Sequence, residues 1–160
     1  MLDGTDEAFV DEVVLALSKR VDEKRFGPIC RSGGLRNLTE AERIVLYACW
    51  AMGIIQNGGF QFFYEGATNM AEVANAYECL GYLEAAEACR KSLSIFPNGI
   101  PPEDADERLS ILSSYQGFRD EFFRSLNEAV WEAGDANFEA TIANYIRIYM
   151  LEFKDGMPKR

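Results

Sequence analysis

"TEAERIVLYACWAMGIIQNGGFQFFYEG", Thr39 to Gly66, decides how this chain folds. Thr39 followed three residues later by Glu42 is a capping box, in which hydroxyl and carboxylate each satisfy a backbone N–H of the first turn. The spacing predicts a helix from about Glu40 to Gln56. Ile44, Val45, Tyr47, Ala48, Trp50, Met52, Ile54 and Ile55 make it apolar nearly all round. A helix with no polar face is a buried one, so this is the central helix of the fold. Asn57-Gly58-Gly59 then reads as a stop, because glycine tolerates the left-handed backbone of a C-terminal cap. Phe60 to Glu65 is at most a short helix, closed by Gly66. Its aromatic residues Phe60, Phe62, Phe63 and Tyr64 either stack on a ligand or wedge the turn into the core. Aromatic side chains bury ~150–250 Å² each and dominate cores, which favours packing.

Working outward, Phe9, Val10, Val13, Val14, Leu17 and Val21 recur at helical spacing and predict an amphipathic helix over residues 6–25. "FGPICRSGGLRN" breaks it with a proline and glycines. Asn69 with Glu72 reads as a second capping box, opening a helix through Val73, Ala76, Tyr77 and Leu80. Gly81 interrupts, and a further helix runs to Phe96. "PNGIPP" is a break, after which Glu103, Asp104, Asp106 and Glu107 favour the positive end of a helix beginning near Pro102. Phe118, Phe122, Phe123, Leu126, Val130 and Trp131 give another helix, with Arg119 and Arg124 as surface residues beside it. The last runs from about Phe138 to Phe153, and residues 154–160 are a loose tail. No segment alternates with period two. The expected fold is all-α: a single-domain bundle of six to eight helices over residues 1–160, without a sheet.

Length and composition agree. At 160 residues, folding removes roughly 70% of the unfolded chain's surface, enough for a core without staples. Apolar runs reach about twelve residues, short of the ~20 that cross a bilayer. The N-terminus is acidic where a secretory signal is basic, so a cytoplasmic location is expected. Cys30, Cys49, Cys79 and Cys89 form no Cys-x-x-Cys pair and the chain has no histidine, which argues against a zinc site and leaves the thiols reduced. Without imidazole there is no Ser-His-Asp or Cys-His arrangement. No catalytic residue, metal or cofactor is expected.

The net charge is −10 and uneven. Residues 26–70 are neutral, whereas residues 71–110 carry eight acids against three bases. Such a surface repels phosphate, so direct binding to nucleic acid or anionic lipid is disfavoured. Glu72, Glu78, Glu84, Glu87, Glu103, Asp104, Asp106 and Glu107 either form an ordinary solvated face or a phosphate-like array. Carboxylates three or four residues apart on a helix stand ~5–6 Å apart, near the spacing of phosphates along a strand. The Asp104–Glu107 cluster lacks the ligand spacing and glycine of a calcium loop.

The motif Asn57, Gly58, Gly59, Phe60, Gln61, Phe62, Phe63, with Gly66 and Gly81 beyond it, resembles the core motif of the bacterial DNA-mimic protein family. The likeness spans roughly residues 40–153. Tyr64 and Glu65 depart from the family pattern, which often has asparagine after the paired aromatics, and Tyr149 stands where a family histidine is common. The resemblance implies a helical, non-enzymatic, acidic protein that dimerises and occupies the DNA-binding surface of a transcriptional regulator. The partner it implies is a basic DNA-binding protein. Trp131, Tyr145 and Tyr149 are candidate dimer contacts. Three other readings stay open. One is a small-molecule or peptide-binding domain using the aromatic turn, with an apolar pocket lined by Phe60, Phe62, Phe63 or Tyr64. Another is an immunity or antitoxin-like binder. The third is a hydrolase or metal-dependent enzyme working through clustered carboxylates, for which the sequence holds no constellation.

Overall fold

The structure, a computed structural model, describes residues 4–21, 27–31, 33–135 and 137–153, with the side chains of 4, 5, 27, 28 and 116–120 outside that description. The expected tail 154–160, the first helix beyond Val21, and the placements of Phe118 and Arg119 therefore lie outside the described residues. The described chain is all-α. Seven helices of ten residues or more are α1 (Gly4–Arg20), α3 (Glu40–Gly66), α4 (Met70–Cys79), α5 (Leu83–Ser92), α6 (Ala105–Ser114), α7 (Gln116–Asp135) and α8 (Phe138–Ile148). A single turn, α2 (Gly27–Cys30), and three short 3-10 segments complete it, with no strand among the described residues.

α3 is the axis, packed by α1, α4, α6, α7 and α8. Its N-terminus forms the capping box expected from Thr39. Glu42 N–H donates to Thr39 Oγ1 at 3.2 Å, and Thr39 N–H donates to Glu42 Oε2 at 3.0 Å. Glu42 is fully buried, and its other oxygen accepts from Arg20 of α1 at 2.5 Å. A buried carboxylate is tolerated only when its lone pairs are taken up in this way. Val45, Ala48, Ala51 and Ile55 on α3 are fully buried, as an apolar circumference requires.

Two expectations are corrected. Asn57-Gly58-Gly59 does not stop the helix. α3 continues to Gly66, with Gly59 alone leaving helical geometry at φ 70°, ψ −172°. Asn69 and Glu72 do not form a capping box either. Asn69 Nδ2 donates instead to Ile29 O at 2.6 Å, and Glu72 Oε1 accepts from Gly33 N–H at 2.8 Å. Both side chains are drawn toward the segment before α3, which turns them away from the first turn of α4.

α4 and α5 form an antiparallel hairpin. At its turn Gly81 is left-handed (φ 86°); Tyr82 N–H reaches Tyr77 O at 2.9 Å and Gly81 N–H reaches Glu78 O at 3.0 Å. Those two bonds are a Schellman cap, which needs a residue without Cβ at that position. Asp104 caps α6, its Oδ1 accepting from Glu107 N–H at 2.8 Å. All four cysteines are free, and no helix among the described residues is long and apolar enough to cross a membrane.

Candidate functional site

The aromatic segment is packing. Phe60, Phe63 and Tyr64 are fully buried. Phe63 lies against Trp50 and edge-on to Tyr64, Phe60 stacks on Phe123 of α7, and Tyr64 meets Phe96 edge-on at 4.8 Å. The Tyr64 hydroxyl shares a hydrogen with Ser92 Oγ at 2.5 Å, and burial holds the phenol far from ionisation. Only Phe62, 50% exposed, faces outward. Asn57 is exposed and bonds back to Gly53 O at 2.7 Å, Gly58 is exposed, and Gln61 is half-buried.

Two residues on α7 explain how the chain resumes its helix after Gly59. Phe60 N–H donates to Asn127 Oδ1 at 2.9 Å, and Trp131 Nε1 donates to Ile55 O at 3.1 Å. One backbone donor and one backbone acceptor beside the kink are thus satisfied by two residues, four apart, of a neighbouring helix, which a buried break demands. Arg108, 4% exposed, does the same at the helix's other end. Its Nε donates to Tyr64 O at 2.5 Å and its Nη1 to Pro102 O at 2.6 Å, with Glu65 O and Glu103 O at 3.4 and 3.3 Å. A guanidinium against the carbonyl end of α3 also meets the negative end of its macrodipole. Nothing in the local sequence marks Arg108, Asn127 or Trp131 for these roles.

The eight acidic candidates separate into two groups. Glu78 is ion-paired to Arg90 across the α4–α5 hairpin, Glu87 to Lys91 one turn on at 2.9 Å, Glu72 is held by Gly33, and Asp104 is the α6 cap. Glu84, Glu103, Asp106 and Glu107 are exposed and have no basic partner among the described residues. A second row was not signalled by any local run of acids. Glu121, Glu128, Glu132 and Asp135 are all exposed on α7 at separations of seven, four and three residues, which puts them on one helical face. Among the described residues no group of three or more Cys, Asp or Glu is placed to hold a metal ion.

The aromatic residues named as dimer contacts are placed differently from one another. Trp131 is 39% exposed, but its indole N–H is engaged with α3. Tyr145 is half-buried with its ring 4.5 Å from that of Tyr149. Tyr149 belongs to an exposed apolar end that continues through Ile148, Met150 and Leu151, the last almost wholly in solvent. Away from both, a groove of about 580 Å³ lies between α1, α3 and α8.

The family model described as DMP19-like protein matches residues 36–149. No curated protein and no solved structure matches the chain.

Proposed function

The chain belongs to the DMP19-like protein family, and from that premise we propose that it is a non-enzymatic acidic interaction module that competes with DNA for a basic DNA-binding protein. The observation carrying this reading is the set of exposed carboxylates that form no ion pair among the described residues: Glu84, Glu103, Asp106 and Glu107, with the α7 row Glu121, Glu128, Glu132 and Asp135. Acids whose purpose is stability are paired, capping or bonded, as Glu42, Glu78 and Asp104 are. The rest leave their field to solvent, where it steers a Lys/Arg-rich surface at raised on-rate.

Magnitude sets what the surface must recruit. The α7 row spans fourteen residues, roughly 21 Å of helix axis. Over that length duplex DNA presents about twelve charges, and the row supplies four. The α6 carboxylates or a second copy of the chain must supply the remainder. A homodimer through the exposed apolar end at Ile148, Tyr149, Met150 and Leu151 would double the array. The reading places the protein in the cytoplasm, beside transcriptional regulators. An immunity or antitoxin-like role uses the same physics with a different basic partner.

The test is affinity capture from a bacterial lysate with elution by a salt gradient. A basic DNA-binding protein should be retained at low salt, released at moderate salt and displaced by duplex DNA. Combined substitution Glu103→Gln, Asp106→Asn and Glu107→Gln, or Glu128→Gln with Glu132→Gln, should weaken retention and lower its salt dependence. Retention of nothing basic, or of a partner that duplex DNA does not displace, rejects mimicry.

A further inference from the structure

The groove between α1, α3 and α8 is unused by the reading above. Its walls are mostly apolar, built from Val10 and Val14 of α1, Leu46, Trp50 and Met52 of α3, and Phe138 at the start of α8, with Ser18 and Gln56 as its neutral polar side chains. Among the described residues the charged side chains lining it are Glu7, Asp11 and Glu139, with no Lys or Arg. None of the three has an ion-pair partner among the described residues. The neighbouring arginine is committed elsewhere: Arg147 pairs with Asp6 at 2.5 Å and lies 5.3 Å over the Phe9 ring. Glu7 and Asp11 are one turn apart on α1, so their carboxylates share a face.

Two further observations point to an occupant. Gly53 lines the groove in the middle of α3, where glycine weakens a helix. It neither adopts a left-handed conformation nor meets a close neighbour, since a Cβ added there would find nothing within 4 Å. Its missing side chain therefore serves no packing or backbone need, and leaves the groove open beside Trp50. The Trp50 ring is itself fixed against Phe63 at 5.4 Å, which presents it as a rigid wall. The field of the rim also reaches inward: the Cys49 thiol, in the wall, is pushed up to about 12 by burial and then by the charges of Glu139 and Asp11.

We propose that this groove binds a small organic cation, an amine or quaternary ammonium carrying an aromatic or aliphatic body. The charged head is met by Glu7, Asp11 and Glu139, and the body lies on Val10, Val14, Met52 and Phe138. The volume falls within the ~300–1,000 Å³ typical of small-molecule sites. An apolar wall with an aromatic face and a carboxylate rim is complementary to such a cation and repels its carboxylate counterpart. The proposal is independent of DNA mimicry, because none of its residues is among those varied in the capture experiment.

Isothermal titration of the full chain tests it with 2-phenylethylamine, octylamine and benzyltrimethylammonium, against 2-phenylethanol and 3-phenylpropanoate as neutral and anionic controls. At least one cation should bind saturably with one site per chain, about tenfold or more tighter than the alcohol, and the anion should not bind. Combined Glu7→Gln, Asp11→Asn and Glu139→Gln should remove that cation preference while leaving the alcohol unchanged. Gly53→Phe should block cation and alcohol alike, in protein whose circular dichroism and unfolding midpoint match the parent. No saturable binding of any of the three cations below about 1 mM overturns the proposal. So does equal binding of the alcohol, or a cation affinity that the triple carboxylate variant leaves unchanged.

Discussion

At Gly59 the backbone adopts φ 70° and ψ −172°, a combination essentially confined to glycine, with Asn127 directly beyond where a Cβ would project. Strain and collision act together there. A side chain at this position would both force the left-handed backbone and push Asn127 off the Phe60 amide. Gly59→Ala should therefore destabilise the fold by about 2–4 kcal/mol, combining backbone strain of ~1–3 with a lost buried hydrogen bond of ~1. Urea unfolding of the two proteins measures it. A loss below 0.5 kcal/mol would mean that α3 straightens without the kink. Gly58, one residue earlier, lacks the left-handed backbone and is exposed, but a Cβ there would run into the Phe62 side chain.

Between elements, the join of α6 to α3 depends on one buried cation. Arg108 has no carboxylate partner among the described residues, and its guanidinium answers carbonyls of α3 and of the segment leading into α6. Only a planar group with several fixed donors can serve both at once. Arg108→Met should cost about 3 kcal/mol by leaving buried acceptors unpaired. Arg108→Lys should recover less than half of that, because a point charge reaches one end of the arrangement. Equal stability of the lysine and arginine proteins would refute the two-ended clamp. The elements themselves were largely legible. The Thr39–Glu42 box, the break between α4 and α5 at Gly81, and the acidic start of α6 all follow from residues within one turn of the feature they control, whereas α5 ends at Ser92, short of the expected Phe96. The continuation of α3 past Gly59 did not, since Asn127 and Trp131 stand about seventy residues downstream. The Asn69–Glu72 pattern misled for the same reason: Ile29 O and Gly33 N–H arrive from another segment and take both side chains.

For the whole molecule, burial of acid groups in neutral form sets a ceiling in pH. Cys49 is pushed from 9.0 up to about 12 and Tyr47 from 10.0 up to about 12, in each case chiefly by burial. Both stay protonated in the fold and ionise earlier in the unfolded chain. Stability from these groups is complete below pH 9 and is lost as pH rises from 9 toward 12. The loss approaches about 1.4 kcal/mol per pH unit for each group that the unfolded chain alone has ionised. Urea midpoints taken from pH 8 to 11 should fall accordingly, and Cys49→Ala should flatten the first part of that slope. A flat profile up to pH 11 would show that these groups titrate alike in both states.

The acidic surface was legible as composition and not as geometry. Counting charges located the acids of residues 71–110, yet four of the eight named are bound up in pairs, caps or backbone contacts, while the exposed α7 row was scattered among apolar residues and escaped notice. What the sequence by itself determined is the all-α class, the buried central helix, the absence of histidine chemistry and the sign of the field, because period, capping and charge are carried by neighbouring residues. Tertiary structure alone decided that the aromatic turn is core, that α3 bends instead of ending, and that an acid-rimmed groove opens beside Gly53. Each of those depends on which distant backbone group or side chain arrives at the same place, and nothing local in the chain encodes that.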